Sequence, residues 1–298
     1  MESKQNPLAI GHRGAAGLAP ENTLAAFRRA IELDVDAVEL DVHLSADGEL
    51  VVHHDPALKP EATRGADGKW LTGGDSAPIK RLTLGQLKTY DVGRLRPNTA
   101  YGRRYPDQRP ADGSRIPTLG EVIDLLKEIA APRVGLWIEI KTSPETPELT
   151  AAPSEMADAV VKLLRSEQFV GRSRILSFDW RCLARAQQIA PEIPTVYLTS
   201  KYKPIKPFDK ETTMLWSAGL DPGTYQGSLI KMIQAAGGRI WGAKYSEISE
   251  DEIQAAHGAG LEVYVWTVDT PDEMIRLIGQ GVDGIISNRP DLLRSVLK

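Results

Sequence analysis

Apolar and polar residues alternate in short strand-like runs separated by helical periods over most of the chain. "LAIG" (8–11) leads into a stretch where Leu24, Phe27, Ala30 and Ile31 recur at helical spacing. Asn22 or Thr23 can cap it, which predicts a helix over about 22–33. "AVELDVHL" (37–44) and "ELVVHHD" (49–55) flank the turn signal "SADG". The helical "TLGEVIDLLKEI" (118–129) precedes "VGLWIEIK" (134–141), and a helix at about 154–168 precedes "RILSF" (174–178). A helix at 180–190 comes before "TVYLT" (195–199), and "SLIKMIQAAG" (228–237) before "IWGAK" (240–244). "EDEIQAAHGAG" pairs in the same way with "LEVYVWTV" (261–268), and "PDEMIRLIGQG" with "VDGIIS" (282–287), before a closing helix. The rhythm reads as eight apolar strands, each but one followed directly by a helix, which is the signature of an α/β (β/α)8 TIM barrel. An open doubly wound sheet would share this order. "GHRGAAG", however, puts a bulky His-Arg where a dinucleotide fingerprint needs close backbone approach.

Residues 56–116 break the rhythm with Gly, Pro and charge. They hold 12 Lys/Arg against 6 Asp/Glu, locally +6 in a chain of formal net charge -4. A structureless loop of that length is improbable inside a compact domain. The stretch, with one small helical segment at 83–93, therefore reads as an insertion subdomain after the second strand of a single barrel domain spanning 1–298. It is expected to act as a solvated cap, or as a lid favouring anionic substrates. A second irregular region, 200–225, is expected to add to the barrel rim.

Composition narrows the function classes. The acidic balance argues against nucleic-acid binding, and 42% hydrophobic residues suit a large buried core. The single cysteine, Cys182, excludes an internal disulfide framework and reads as a small buried apolar residue. No apolar run approaches the roughly 20 residues of a membrane span, so stable membrane insertion is not expected. The start of the chain lacks a signal-peptide core, which predicts a cytoplasmic protein, or a periplasmic or secreted one if a leader has been removed. The oligomeric state stays open.

The candidate chemistry begins at "IGHRGAAGLAPENT" (10–23), where a strand end presents His12 and Arg13 on a glycine-rich turn. A plain strand-to-helix connection needs neither. Glu39, Asp41 and His43 share one face of their strand by the period of two, as do Glu139 and Lys141 on theirs. Carboxylates inside apolar strands are costly unless paired or bound to a cation. Glu39, Asp41 and Glu139 thus form a candidate oxygen-rich site for Mg²⁺ or Ca²⁺, with Mn²⁺ as an alternative. The competing reading is a salt-bridge layer, Glu139 with Lys141 and Glu39 with an arginine. Of the adjacent His53 and His54, His54 is expected at the mouth and His53 as a half-buried packing residue. Asp55, before a proline, is expected as a turn-former. His43 and His257 have no supporting pattern, and "SFDW" gives Ser177 no nucleophile elbow. Two imidazoles, an arginine and a bound cation suit phosphoryl-ester cleavage without a protein nucleophile.

"HRG" (12–14), "PENT" (20–23), "ELDV" (39–42), "HD" (54–55) and "IEIK" (138–141) together resemble the glycerophosphodiester phosphodiesterase family, over nearly the whole chain. The resemblance implies a TIM barrel that hydrolyses glycerophosphodiesters to glycerol 3-phosphate and an alcohol. It implies Glu39, Asp41 and Glu139 as metal ligands, His12 and His54 as the acid–base pair, and Arg13 and Lys141 on the phosphate. Phe178 and Trp266 resemble the apolar positions that wall the glycerol side. A glycerol hydroxyl beside the phosphate would attack, giving a cyclic phosphate that water opens. Two alternatives remain: a related barrel phospholipase of sphingomyelinase D or phosphoinositide type, or a non-catalytic barrel that binds glycerophosphate groups.

Overall fold

The protein is described by a computed structural model covering residues 6–129, 133–200 and 209–298. In chain order its elements are β1 (Leu8–Gly11), α1 (Leu24–Glu32), β2 (Ala37–Leu44), β3 (Leu50–Val52), α2 (Leu84–Leu87), α3 (Leu119–Glu128) and β4 (Gly135–Ile140). There follow α4 (Pro153–Ser166), β5 (Ser173–Ser177), α5 (Trp180–Ile189), β6 (Thr195–Thr199), α6 (Lys210–Trp216), α7 (Leu229–Ala235) and β7 (Ile240–Lys244). Last come α8 (Glu250–Gly258), β8 (Glu262–Trp266), α9 (Pro271–Gln280), β9 (Gly284–Ser287) and α10 (Pro290–Val296). Eight of the strands pair in parallel, and β1 bonds both β2 and β9, so the sheet closes into a (β/α)8 barrel.

Local chemistry sets the helix starts. Thr23 accepts the Ala26 N–H at α1, and Thr118 forms a capping box with Glu121 at α3. Proline opens α4, α9 and α10, where its missing N–H costs nothing.

The two-residue strand period sorts side chains into two cores. Leu40 and Val42 of β2, with Leu136 and Ile138 of β4, pack outward against the helices. Ala37, Trp137, Leu176, Tyr264, Ile286 and Ile10 form a separate cluster inside the barrel. Stepping two residues along the inward rows leads from that plug to the C-terminal mouth. There the rows end in Glu39 and Asp41, Glu139 and Lys141, His12, Phe178, Trp266 and Asn288.

The strand-like runs number nine rather than eight. The run at 49–55 orders only Leu50–Val52, pairs antiparallel with β2 and lies outside the barrel. Its alternation is genuine, but its partner is a hairpin rather than a parallel neighbour. Residues 56–116 pack around their own apolar cluster of Leu58, Leu71, Ile79, Leu87 and Ile116, joined by Val51 of β3. The helix expected over 83–93 is confined to α2, which Thr83 caps. Within 200–225, α6 stands where irregular chain was expected. It is one short helix capped by Asp209, burying only Thr213 and Trp216, too few to register as a period. Residues 201–208 of that region lie outside the described residues. Among the described residues, no helix is long and apolar enough to cross a membrane.

Candidate active site

Asp41 and Glu139 are register partners across β2 and β4, and Glu39 lies one inward step below Asp41. Oxygens of these three buried carboxylates lie within 4.8 Å of one another. Burial, with Asp41 and Glu139 alongside, pushes the Glu39 carboxyl well above its ordinary range. Burial opposes ionisation of Asp41 too, but Lys141, His54 and Arg13 hold it well below the usual carboxylate range.

The cations are already partly engaged. Lys141 Nζ donates to Glu139 Oε1 (2.7 Å) and lies 3.3 Å from Asp41 Oδ1. Arg13 donates its backbone N–H to Glu39 Oε2 (2.9 Å) and its Nη1 to Glu21 Oε1 (3.0 Å), with Nε 3.3 Å from Asp41 Oδ2. The salt-bridge layer weighed above therefore exists, but it leaves the acids in excess: Glu21, Glu39, Asp41 and Glu139 face Arg13 and Lys141. Asp41 Oδ1 is also buried with no hydrogen-bond partner among the described residues. A buried oxygen that has the Lys141 ion pair but no hydrogen bond, in an over-acidic, all-oxygen donor set, fits a hard divalent cation held by Glu39, Asp41 and Glu139.

The turn after β1 is bent to make these contacts. Arg13 takes φ +49° and Asn22 φ +56°, left-handed values that cost non-glycine residues. Gly14, at φ +83°, lies so close to α1 that a Cβ would come within 2.5 Å of the Ala26 carbonyl carbon. The strained loop delivers the Arg13 N–H to Glu39. It also brings Asn22 Nδ2 to within 2.8 Å of Asp41 Oδ2, to which it donates.

His12 Nε2 lies 3.9 Å from Glu39 Oε2, and its Nδ1 is 2.6 Å from Asn288 Oδ1. His54 donates from Nδ1 to Asp55 Oδ1 (2.5 Å). Burial first, then Arg13, lowers the His12 imidazole to about 3. Burial first, then Lys141 and Arg13, lowers His54 to about 4. Both rings are therefore neutral near pH 7. His53 donates from Nδ1 to the Asp55 carbonyl (2.8 Å) and borders a small void with Glu21 and Lys59. His43 is buried and donates from Nε2 to the His54 carbonyl (3.2 Å). It thereby supports the loop that carries His54. Ser177 donates to the Ile140 carbonyl, and burial pushes the Cys182 thiol up to about 12. Neither is poised as a nucleophile.

A cavity of about 530 Å³ opens beside the carboxylates, lined by Glu139, Lys141, His54, Phe178, Thr212 and Trp216 among others. Phe178 faces it and meets Trp266 edge-on, with ring centroids 5.3 Å apart. Trp266 stands behind Phe178 and donates its indole N–H to the Gly242 carbonyl (3.0 Å).

Several polar partners went unread in the sequence. Asp55, expected only to shape a turn, engages His54, and Lys59 lies 3.0 Å from its other oxygen. Tyr101 donates to Glu21, and Lys59 covers the Tyr101 ring 4.1 Å from its centroid. Despite burial, Arg13 and Lys59 hold the Glu21 carboxyl at about 2. Segment 56–116 thus reaches, through Lys59 and Tyr101, the groups that orient His54 and Arg13. Asn288 and Asp269 complete the set, and the available signal for Asn288 was its place one inward step past Ile286.

A TIM barrel with acidic residues, two neutral imidazoles and two cations at its C-terminal mouth is the architecture of a barrel phosphodiesterase. Residues 12–292 match the model of the glycerophosphoryl diester phosphodiesterase family, and the chain belongs to that family. A glycerophosphodiester phosphodiesterase of Caldanaerobacter subterraneus subsp. tengcongensis is 30% identical over 98% of each chain. A solved structure from Silicibacter pomeroyi superposes with a TM-score of 0.86 at 33% identity, covering 98% of this chain and 93% of the other. A phosphodiesterase of Oleispira antarctica, solved with the product sn-glycerol-3-phosphate, has a TM-score of 0.71 at 26% identity, covering 98% and 97%.

Proposed function

We propose that the protein hydrolyses glycerophosphodiesters to sn-glycerol 3-phosphate and an alcohol, with a divalent cation, Mg²⁺, Ca²⁺ or Mn²⁺, held by Glu39, Asp41 and Glu139. The observation that carries the reading is an over-acidic carboxylate triad and two neutral imidazoles at one barrel mouth. The Oleispira relative's product complex supports the substrate class.

When bound, the cation would neutralise phosphate charge and lower the pKa of a coordinated hydroxyl. Arg13 and Lys141 point their donors at the same region and can each turn a hydrogen bond from a carboxylate to a phosphate oxygen. His12 and His54 serve as the acid–base pair: one ring, neutral, takes the proton of the attacking hydroxyl, and the other, protonated once the anionic substrate is bound, gives its proton to the departing alcohol. The Phe178 face, backed by Trp266, packs against the glycerol carbons, and the cavity towards Trp216 leaves room for the alcohol. The bonding of Ser177 and the burial of Cys182 favour attack by the substrate's own hydroxyl, with the chain supplying position and proton transfer.

Incubation with glycerophosphodiesters of several head groups, with chelator and then with cation added back, tests the reading. Release of glycerol 3-phosphate that stops in chelator and returns with the cation is expected. A bound glycerophosphodiester that is never cleaved would favour the binding-barrel alternative.

The segment 56–116 acts in this reading as a brace on the catalytic loops. Lys59→Met removes the cation that holds both Asp55 and Glu21, so kcat should fall by roughly 10-fold or more, in line with loss of an outer-shell partner. Unchanged kcat in a folded Lys59→Met protein would make the segment a simple cover.

A further inference from the structure

Behind His12 at the barrel mouth stands a relay of two polar side chains, Asn288 and Asp269. Asp269, in the loop after β8, accepts three hydrogen bonds from the end of β9. Its Oδ1 takes the Asn288 backbone N–H (2.8 Å) and the Ser287 hydroxyl (3.3 Å), and its Oδ2 takes the Asn288 side-chain Nδ2 (2.7 Å). The Asn288 amide is fully buried and cannot turn over, because its NH2 is committed to a carboxylate. Its Oδ1 must therefore face His12, and it meets Nδ1 at 2.6 Å. A carbonyl oxygen only accepts, so Nδ1 of His12 carries the hydrogen and Nε2 is left with the free lone pair on the Glu39 side.

We propose that Asp269 and Asn288 are positioning residues that lock His12 in the Nδ1–H tautomer, so that His12 exchanges a proton with substrate only through Nε2. The inference rests on the reading of His12 as one of the proton-transferring pair. Neither residue touches the reacting atoms. The relay is also asymmetric: His12 is backed by a neutral amide, whereas His54 is backed directly by the Asp55 carboxylate. A neutral acceptor fixes the tautomer without a second negative charge beside the metal-binding triad.

The tautomer can be read in the metal-free enzyme by long-range ¹H–¹⁵N correlation on histidine-labelled protein, independently of turnover. Wild type should show His12 protonated at Nδ1. In Asp269→Asn the new NH2 opposes that of Asn288, the Asn288 amide flips, and its NH2 faces Nδ1. His12 should then move to the Nε2–H form, with kcat falling by roughly 10²–10⁴-fold, the scale of a wrongly held catalytic tautomer. KM should stay within about threefold, because binding groups are untouched. Asn288→Asp alone sets two carboxylates against each other and should also lose activity. The exchange Asp269→Asn with Asn288→Asp reverses donor and acceptor in the side-chain bond between the two residues and leaves the other bonds of the relay in their original sense. It should restore the Nδ1–H form and bring kcat to within about tenfold of wild type.

If Asp269→Asn fails to fold, Asn288→Ala reads the same loss of the Nδ1 partner. A His12 signal that stays Nδ1–H in Asp269→Asn, or a double exchange as slow as the worse single variant, would overturn the proposal. Full activity in His12→Ala would instead sink the catalytic reading of His12 while leaving the tautomer measurement standing.

Discussion

Asp41→Asn is expected to abolish turnover and cation binding together while the barrel stays folded. Asp41 is the ligand candidate with the strongest case, fully buried and level with Glu139 across the β2–β4 ladder. Its Oδ1 has no hydrogen-bond partner among the described residues and only the Lys141 ion pair, so an asparagine there exchanges an anionic donor for a neutral amide. A cation that binds only the native state raises the wild-type unfolding temperature by mass action. That rise should disappear in Asp41→Asn, whose cation-free unfolding temperature should stay within a few degrees of wild type. The same measurement carries a pH signature. The Glu39 carboxyl is held well above its ordinary range by burial and by Asp41 and Glu139, so a proton competes with the cation for it. Cation affinity in the wild type should therefore weaken as pH falls. The assignment is wrong if Asp41→Asn keeps cation-dependent turnover within tenfold of wild type.

The second large effect is expected at the histidines. His12→Ala and His54→Ala should each lower kcat by roughly 10²–10⁴-fold, the usual contribution of a positioned acid or base. The double variant should lose little more than the worse single one, because both rings serve one proton-transfer sequence. His53→Asn should change stability more than kcat, since its ring bonds the Asp55 carbonyl on the side away from the main cavity. Single-turnover kinetics on the four proteins decide the matter. Strictly multiplicative losses would mean that the imidazoles act in separate steps. A dead His53→Asn with an active His54→Ala would invert the facing of this loop.

Much of the site could be read along the chain because strand geometry writes it there. Glu39 with Asp41, and Glu139 with Lys141, stand at two-residue spacing in apolar runs, and that spacing alone puts each pair on one face. Burial of carboxylates among Leu40, Val42 and Ile138 then requires compensation, which is why the residue types point to a cation. The strand run at 49–55 instead became a rim hairpin, paired antiparallel with β2. Alternation marks a half-buried extended segment but does not say whether its partner is parallel in the barrel or antiparallel at its rim.

The sequence by itself therefore determined the barrel and the candidate groups that project from strand ends, because these follow from short-range periodicity, while its motifs carried the family resemblance. Only the tertiary structure decided which groups orient them. Tyr101 reaches Glu21 across 80 residues of chain, and Asn288 reaches His12 across 276. Asp55 read as turn chemistry until its carboxylate was found against His54 and Lys59. Such partnerships arise when closing the barrel sets β9 beside β1 and folds 56–116 against the mouth. No local pattern encodes them, since a hydrogen bond between distant residues depends on where the backbone brings them and not on their spacing in the chain.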